Sequence, residues 1–476
     1  MKRLLVALAT AVSLGHAQAD EALLEAMAQP WTGDLDGMIE RRTVRALVVP
    51  SRMQYWIDRG RQSGAEYELL KKFEEELNAK YKLKRKHIGI HVHFIPTARD
   101  ELMPALVQGR GDVAAGILTI TPERLQQVDF GAPFFRNVAE IVVTGPASPT
   151  LASIEDLAAQ KLFVRRSSSY WTHLEALSER LRQQGRASLE LKAAPEDLQD
   201  DDLLEMLNAG LVGVAVVDRY KAVTWARVFK RIKPREDLKV HEGGDIAWMI
   251  RKDSPNLKAE ISAFAQKHGQ DSAFGKNLVK KYTGSTRFVR AATSKEEMRK
   301  FDQTAEIFRK YSGRYDMDYL LVMAQGYQES RLDQNAKSPV GAIGVMQVMP
   351  ATGRDMKTGD ITQLDPNIHA GVKYIRYVQD TFFENQPMDA VNKTLFSFAA
   401  YNAGPGRVQE LRARAEKRGL NPNVWFNNVE LIAAERIGAE TVTYVSNIYK
   451  YYVAYKLAVE IRAERDRERD ALKKKP

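Results

Sequence analysis

Apolar positions along the chain follow one rhythm in the first half and another in the second. From residue 42 to 283, short strand-like runs alternate with helix-like ones. Arg42–Pro50 (RTVRALVVP) predicts a buried strand, Ala65–Tyr81 an amphipathic helix, and Ile88–Ile95 an alternating strand. Arg99–Gln108 reads as a second helix and Asp112–Gly116 as another strand. This βαβ order predicts a mainly parallel sheet with helices on both faces. After residue 293 the period becomes helical throughout. Thr293–Arg309 opens that region, and Met317–Tyr327 sets Leu320, Met323, Ala324 and Tyr327 three and four residues apart, on one helix face. Thr441–Leu472 predicts a long last helix with Tyr444, Ile448, Tyr451, Tyr452 and Tyr455 as core positions. Past Glu464, alternating Arg, Asp, Glu and Lys predict a solvated helix end.

With 476 residues the chain can build two to four domains with full cores. Its first residues, MKRLLVALATAVSLGHAQAD, pair Lys2 and Arg3 with an apolar stretch and Ala17-Gln18-Ala19, so 1–19 reads as a cleavable secretory signal. The protein is therefore expected to be exported to the periplasm. Loss of Lys2 and Arg3 leaves a formal charge of +8 out of +10, which favours anionic surroundings. No cysteine is present, which excludes disulfides, a thiol nucleophile and a lipid-modified cysteine. No later apolar stretch approaches the roughly 20 residues of a membrane span, so membrane contact would be peripheral, at the outer membrane. The eight histidines show no metal-ligand spacing and glycine-rich phosphate motifs are absent. No metal, cofactor or nucleic acid is expected.

Chemistry concentrates in four blocks: Glu329-Ser330, Gly344-Val345-Met346-Gln347, Ala400-Tyr401-Asn402-Ala403-Gly404, and Glu440-Thr441 followed by Tyr444-Val445. Glu329 falls at the C-terminal end of its helix. Backbone carbonyls there, together with shielding from water, should make the carboxyl hold its proton, as a general acid must. Gly341, Gly344 and Gly353 allow tight turns, and the Gln347 amide can both donate and accept. Asp333 is a conceivable second carboxylate, but Asp-Gln-Asn after a helix reads better as a turn. Glu440 suits either a site wall or the ordinary acidic start of the last helix. Ser330 and Ser338 either orient Glu329, bind substrate, or serve turns.

The order of these blocks resembles the lysozyme-like catalytic domain of the lytic transglycosylases, over roughly residues 300–457. The resemblance implies that Glu329 is the catalytic acid and then base, cutting peptidoglycan glycan strands between N-acetylmuramic acid and N-acetylglucosamine to leave a 1,6-anhydro ring. It also implies substrate contacts from Ser330, Ser338, Met346, Gln347, Tyr401, Asn402, Glu440 and Tyr444.

Further forward, Thr119-Ile120-Thr121-Pro122-Glu123-Arg124, Val128-Asp129-Phe130 and Pro133-Phe134-Phe135 resemble the type 3 extracellular solute-binding domain. In that family two α/β lobes close on a small polar ligand, often an amino acid. The resemblance implies that Thr119 and Arg124 grip a ligand carboxylate and that Asp218 holds an ammonium, with Ser168 on the facing wall among Arg165, Arg166 and Ser167–Ser169. The alternatives are a helix-surface charge for Arg124 and an N-cap for Asp218. Tyr55 and Trp56 either stack on a ligand or cap the core.

The expected fold is an α/β two-lobed periplasmic-binding-protein-like module followed by a mainly α lysozyme-like domain. The expected layout is a signal at 1–19, an N-terminal segment at 20–40, a solute-binding-like domain at 41–284 and a linker at 285–299. The lytic transglycosylase domain follows at 300–458 and a charged tail at 459–476. The ligand of the front module would be an amino acid or muropeptide, able to regulate cleavage. Two alternatives are a receptor whose lysozyme-like domain only binds glycan, and a muramidase that uses water.

Overall fold

The structure is a computed structural model that describes residues 29–51, 54–58, 61–82, 89–158, 160–283 and 295–473. The expected signal at 1–19 and most of the linker lie outside the described residues.

The front half is built on a seven-stranded sheet with the path order Val214–Asp218, Phe135–Thr144, Lys233–Arg251, Val113–Thr119, Thr43–Val48, His91–Pro96; the short strand Val128–Phe130 pairs beside Lys233–Arg251. Thr43–Val48 alternates between two apolar layers. Val44, Ala46 and Val48 pack with Leu70, Phe73 and Leu77 of the helix Ala65–Lys80, while Leu47 and Val49 pack with Leu102 and Leu106 of Leu102–Val107. Helices thus cover both faces, because each face of a half-buried strand needs an apolar layer.

The expectation of a mainly parallel sheet fails. Thr43–Val48 is parallel to His91–Pro96 and to Val113–Thr119, but Lys233–Arg251 runs antiparallel to Val113–Thr119, Val128–Phe130 and Phe135–Thr144. Val214–Asp218 is also antiparallel to Phe135–Thr144. Local βαβ order governs only the first lobe. The 19-residue strand Lys233–Arg251 returns the chain from the second lobe to the first, and four register shifts against Phe135–Thr144 let it bend on the way. The second lobe adds a parallel pair, Lys161–Val164 with Glu190–Ala193, and the helices Ser169–Gln183, Asp200–Ala209 and Arg219–Ala226.

The back half is helical from Lys295–Arg314 to Ala439–Lys473. Its central helix, Tyr319–Ser330, is buried on every side, since all eight residues from Leu320 to Tyr327 are buried. The expected single apolar face understates this, because neighbours from both ends of the region and the loop before Pro350 enclose it. The side chain of Asp318 caps its start by accepting from Leu320 N, and Arg331 at φ +58 ends it. The halves touch directly: Lys450 pairs with Asp202, Lys192 with Glu460, and Asn427 Nδ2 donates to Asp197 Oδ1 at 3.3 Å. Among the described residues, no helix is long and apolar enough to cross a membrane.

Candidate active site and lobe cleft

Glu329 is the penultimate residue of the enclosed helix, so a rigid, fully packed rod presents its carboxyl half-buried at one end. The Tyr444 hydroxyl donates to Glu329 Oε1 and accepts from Gln325 Nε2 at 3.1 Å. Burial pushes the Glu329 carboxyl up to about 7, against the opposing pull of the Tyr444 bond. No acidic neighbour contributes to that shift. Tyr444 and Tyr401 are themselves pushed well above the ordinary phenol value by burial and then by the Glu329 charge, so both stay protonated donors.

Part of the Ser338–Pro350 block shapes this end of the helix, with Val345, Met346 and Val348 buried, while Val340 and Met349 are exposed. Met346 is fully buried, its N–H donates to Asn367 Oδ1 at 2.9 Å, and its carbonyl accepts from Tyr401 Oη at 2.7 Å. Gln347, at φ +48, donates its amide to the carbonyls of Ala336 (3.2 Å) and Gly344 (2.9 Å). Gly344 sits at φ +76, and a Cβ there would lie 2.5 Å from Asn367 Nδ2, so only glycine fits. Ser330 Oγ donates to Val345 O at 2.9 Å, and Ser338 Oγ accepts from Ala342 N at 2.9 Å. These side chains brace backbone, and no hydrogen bond joins Ser330, Ser338 or Gln347 to Glu329 among the described residues. Asp333 accepts from Asn335 N at 2.9 Å and is exposed, a turn residue. Two positioning groups escaped the sequence reading. Gln325 and Asn367 are buried polar residues inside apolar helices, and such residues must satisfy a partner; that was the available signal.

Beside the helix end runs a cleft of about 1590 Å³. Tyr327, Gln328, Arg331, Asn402, Glu440 and Tyr444 line it on one side. Asn402 is exposed and accepts from Thr441 Oγ1 at 2.7 Å, and Glu440 stands exposed in the first turn of the last helix. The opposite side comes from the front module, including Tyr55, Trp56, Tyr282 and Asp197. Tyr55 stacks on Phe94 with centroids 5.5 Å apart and Trp56 meets Tyr282 edge-on, so both belong to this cleft and its support rather than to the cleft between the lobes.

Between the lobes, Thr119, Arg124, Ser168 and Asp218 do converge, around a cavity of only about 20 Å³. Arg124 donates to Thr119 O (2.6 Å) and, across the lobes, to Ser167 O (2.9 Å). Ser168 caps the helix Ser169–Gln183, and its Oγ donates to Arg165 O at 2.7 Å. The Asp218 carboxylate makes no cap bond and instead pairs with Lys221 Nζ at 2.6 Å. Lys221 also reaches Asp200 Oδ2 at 2.7 Å, and Arg165 pairs with the other Asp200 oxygen. No cluster of groups able to hold a metal occurs among the described residues.

Residues 47–285 match the bacterial extracellular solute-binding proteins, family 3, and residues 306–423 match the transglycosylase SLT domain. A protein of Desulfosudis oleivorans called membrane-bound lytic murein transglycosylase F is 26% identical over 414 residues, 84% of this chain and 86% of its own length. One of the same name from Pseudomonas fluorescens strain Pf-5 is 28% identical over 446 residues, 88% of this chain and 85% of its own. Among solved structures, an ancestral arginine-binding protein bound to arginine aligns with 51% of this chain and 99% of its own at 23% identity and a TM-score of 0.41. The chain belongs to the family 3 bacterial extracellular solute-binding proteins and joins that module to a transglycosylase SLT domain, which makes it a lytic transglycosylase resembling membrane-bound lytic murein transglycosylase F.

Proposed function

We propose that Glu329 alone carries both proton transfers of a non-hydrolytic cleavage of peptidoglycan. The observation behind this reading is a half-buried carboxyl raised to about 7 with a phenol on one oxygen and no acidic neighbour shifting it. Two-carboxylate glycosidases need a second acid about 5–9.5 Å away to act as nucleophile or to activate water. Here Glu329, protonated near neutral pH, donates to the glycosidic oxygen between N-acetylmuramic acid and N-acetylglucosamine. The substrate's N-acetyl carbonyl stabilises the cationic sugar. The Glu329 carboxylate, held by the Tyr444 hydroxyl, then takes the proton of the muramic 6-hydroxyl, and the 1,6-anhydro ring closes. Proton balance is complete: the one given to the leaving oxygen is recovered from the hydroxyl.

Asn402, Glu440 and Tyr444 are assigned to the glycan because they line the large cleft, whereas Ser330, Ser338, Met346, Gln347 and Tyr401 are assigned to holding the loop and helix end that frame it. The front module, taken as 41–284, binds a small ligand, an amino acid or muropeptide, between its lobes and acts on the catalytic domain at 300–458. The names of the relatives support a place in the cell envelope, and the finer reading is the periplasm with peripheral contact at the outer membrane. Mass spectrometry of digested peptidoglycan tests the chemistry. Wild type releases anhydro-muropeptides, and folded Glu329→Gln loses at least about 1000-fold in rate. Reducing ends from wild type would mean hydrolysis, and no products at all would mean a glycan-binding receptor.

A further inference from the structure

The charges around the small lobe cavity do not balance, and the imbalance says what the cavity accepts. The two aspartates there each have a cation of the chain as partner. Asp218 is paired with Lys221 at 2.6 Å, Asp200 with Lys221 at 2.7 Å and with Arg165, and Glu140 with His173 Nδ1 at 2.8 Å and the Ser169 hydroxyl at 2.7 Å. Two buried guanidinium groups have no carboxylate within ion-pair distance among the described residues. Arg99 donates to Gly116 O at 2.9 Å and Gln199 Oε1 at 3.4 Å, and Arg124 to Thr119 O and Ser167 O. Three buried polar groups near the cavity also lack any hydrogen-bond partner: Arg99 Nε, Arg165 Nε and the Tyr220 hydroxyl.

Buried charge without an ion-pair partner is costly, and a buried donor left unmade costs about 1–3 kcal/mol, so such groups favour a ligand that supplies acceptors. Orphaned donors beside two guanidinium groups without an ion pair call for an anion with several acceptor oxygens. An ammonium group would find the opposite, with Lys221 already seated between the two aspartates. The cavity as closed holds about 20 Å³, room for about one water. The two arginines are also among the bolts that shut it, since both Arg99–Gln199 and Arg124–Ser167 cross from the first lobe to the second. An entering anion would replace weak bonds to neutral acceptors with charge-assisted ones, so opening and refilling is favourable for that class of ligand.

We propose that this cavity takes a small organic carboxylate without an ammonium group, gripped by Arg99 and Arg124, with Lys221 acting as the built-in counter-ion of Asp218 and Asp200. The proposal rests on the reading that the front module binds a small ligand, and it narrows that ligand away from free amino acids toward deaminated or N-acylated acids. The test is calorimetric titration of the full chain with two matched pairs, glutarate against L-glutamate and N-acetyl-L-alanine against L-alanine, with L-arginine alongside. The acid lacking an ammonium should bind at least tenfold tighter in a pair that binds, and Arg99→Gln should weaken glutarate at least tenfold. Arg99→Lys keeps the charge but loses the fork, and should weaken it in the same direction by less, which keeps the test open if the glutamine variant fails to fold. Tighter or equal binding of L-glutamate, L-alanine or L-arginine would overturn the proposal while leaving the small-ligand reading intact. Failure of all five compounds to bind would overturn both.

Discussion

Two shielded acids, half-buried Glu329 beside the large cleft and buried Asp200 in the lobe cavity, meet desolvation in opposite ways. Burial favours the uncharged form of both. Around Asp200 it is outweighed by Arg165 and Lys221, and the carboxyl is held far below the ordinary carboxylate range. Around Glu329 no cation among the described residues opposes it, only the Tyr444 hydroxyl, and the carboxyl rises to about 7. The same desolvation therefore leaves one acid a permanent structural charge and the other able to gain or lose a proton near neutral pH. Countercharge separates the two, since the more deeply buried Asp200 is the one that stays charged. The pH dependences follow with opposite signs. Asp200, with a depressed folded value, stabilises the fold above its unfolded value near 4, and that contribution is lost only as pH falls toward its low folded value. Glu329, with a raised value, contributes fully below about 4.5, and its contribution is lost as pH rises through about 7.

The largest expected effect comes from breaking the paired side. Lys221→Met leaves Asp218 and half of Asp200 buried without a cation, and should destabilise the front module by about 3–5 kcal/mol in denaturant titrations. On the unpaired side, Glu329→Gln should do the reverse. It removes a charge that the fold disfavours, so thermal unfolding at pH 8 should show a gain on the order of 1–3 kcal/mol that vanishes by pH 4. A gain that persisted in acid would break the comparison. Tyr444→Phe removes the one bond that favours the Glu329 carboxylate. The alkaline limb of the pH–rate profile should move up by roughly half to one pH unit, about 1 kcal/mol. A downward move would mean that Tyr444 stabilises the protonated form. Smallest of all, Asp333→Asn changes an exposed turn and should stay within about 0.5 kcal/mol in stability and near wild-type turnover.

What could be read from sequence was local. The strands near residues 43–48 and 113–119, the helix ending at Glu329 and the last helix all declared themselves through period and end signals within a dozen residues. The carboxyl's environment was legible in direction, because a carboxyl at the end of an apolar helix is shielded wherever that helix packs. Three things depended on distant chain and were not legible. The antiparallel course of Lys233–Arg251 follows from its return between lobes, the wall that Trp56 and Tyr282 add to the large cleft follows from how the halves meet, and Lys221 looks like any helix-surface lysine until Asp200 and Asp218 are brought to it. Motif matching also left the packing of single residues unread. Met346 and Gln347 stand in a block shared with glycan-cutting enzymes, yet Met346 fills the space under Gly371 and Gln347 ties a turn.

The central claim, that a lone Glu329 gives and retakes the proton without water entering the product, is tested most directly by digesting peptidoglycan in water enriched in heavy oxygen. The account predicts that the released muramic ends carry no label and have the mass of the anhydro form. Incorporation of one labelled oxygen at those ends in the first turnover would contradict it, and would require a second group to activate water.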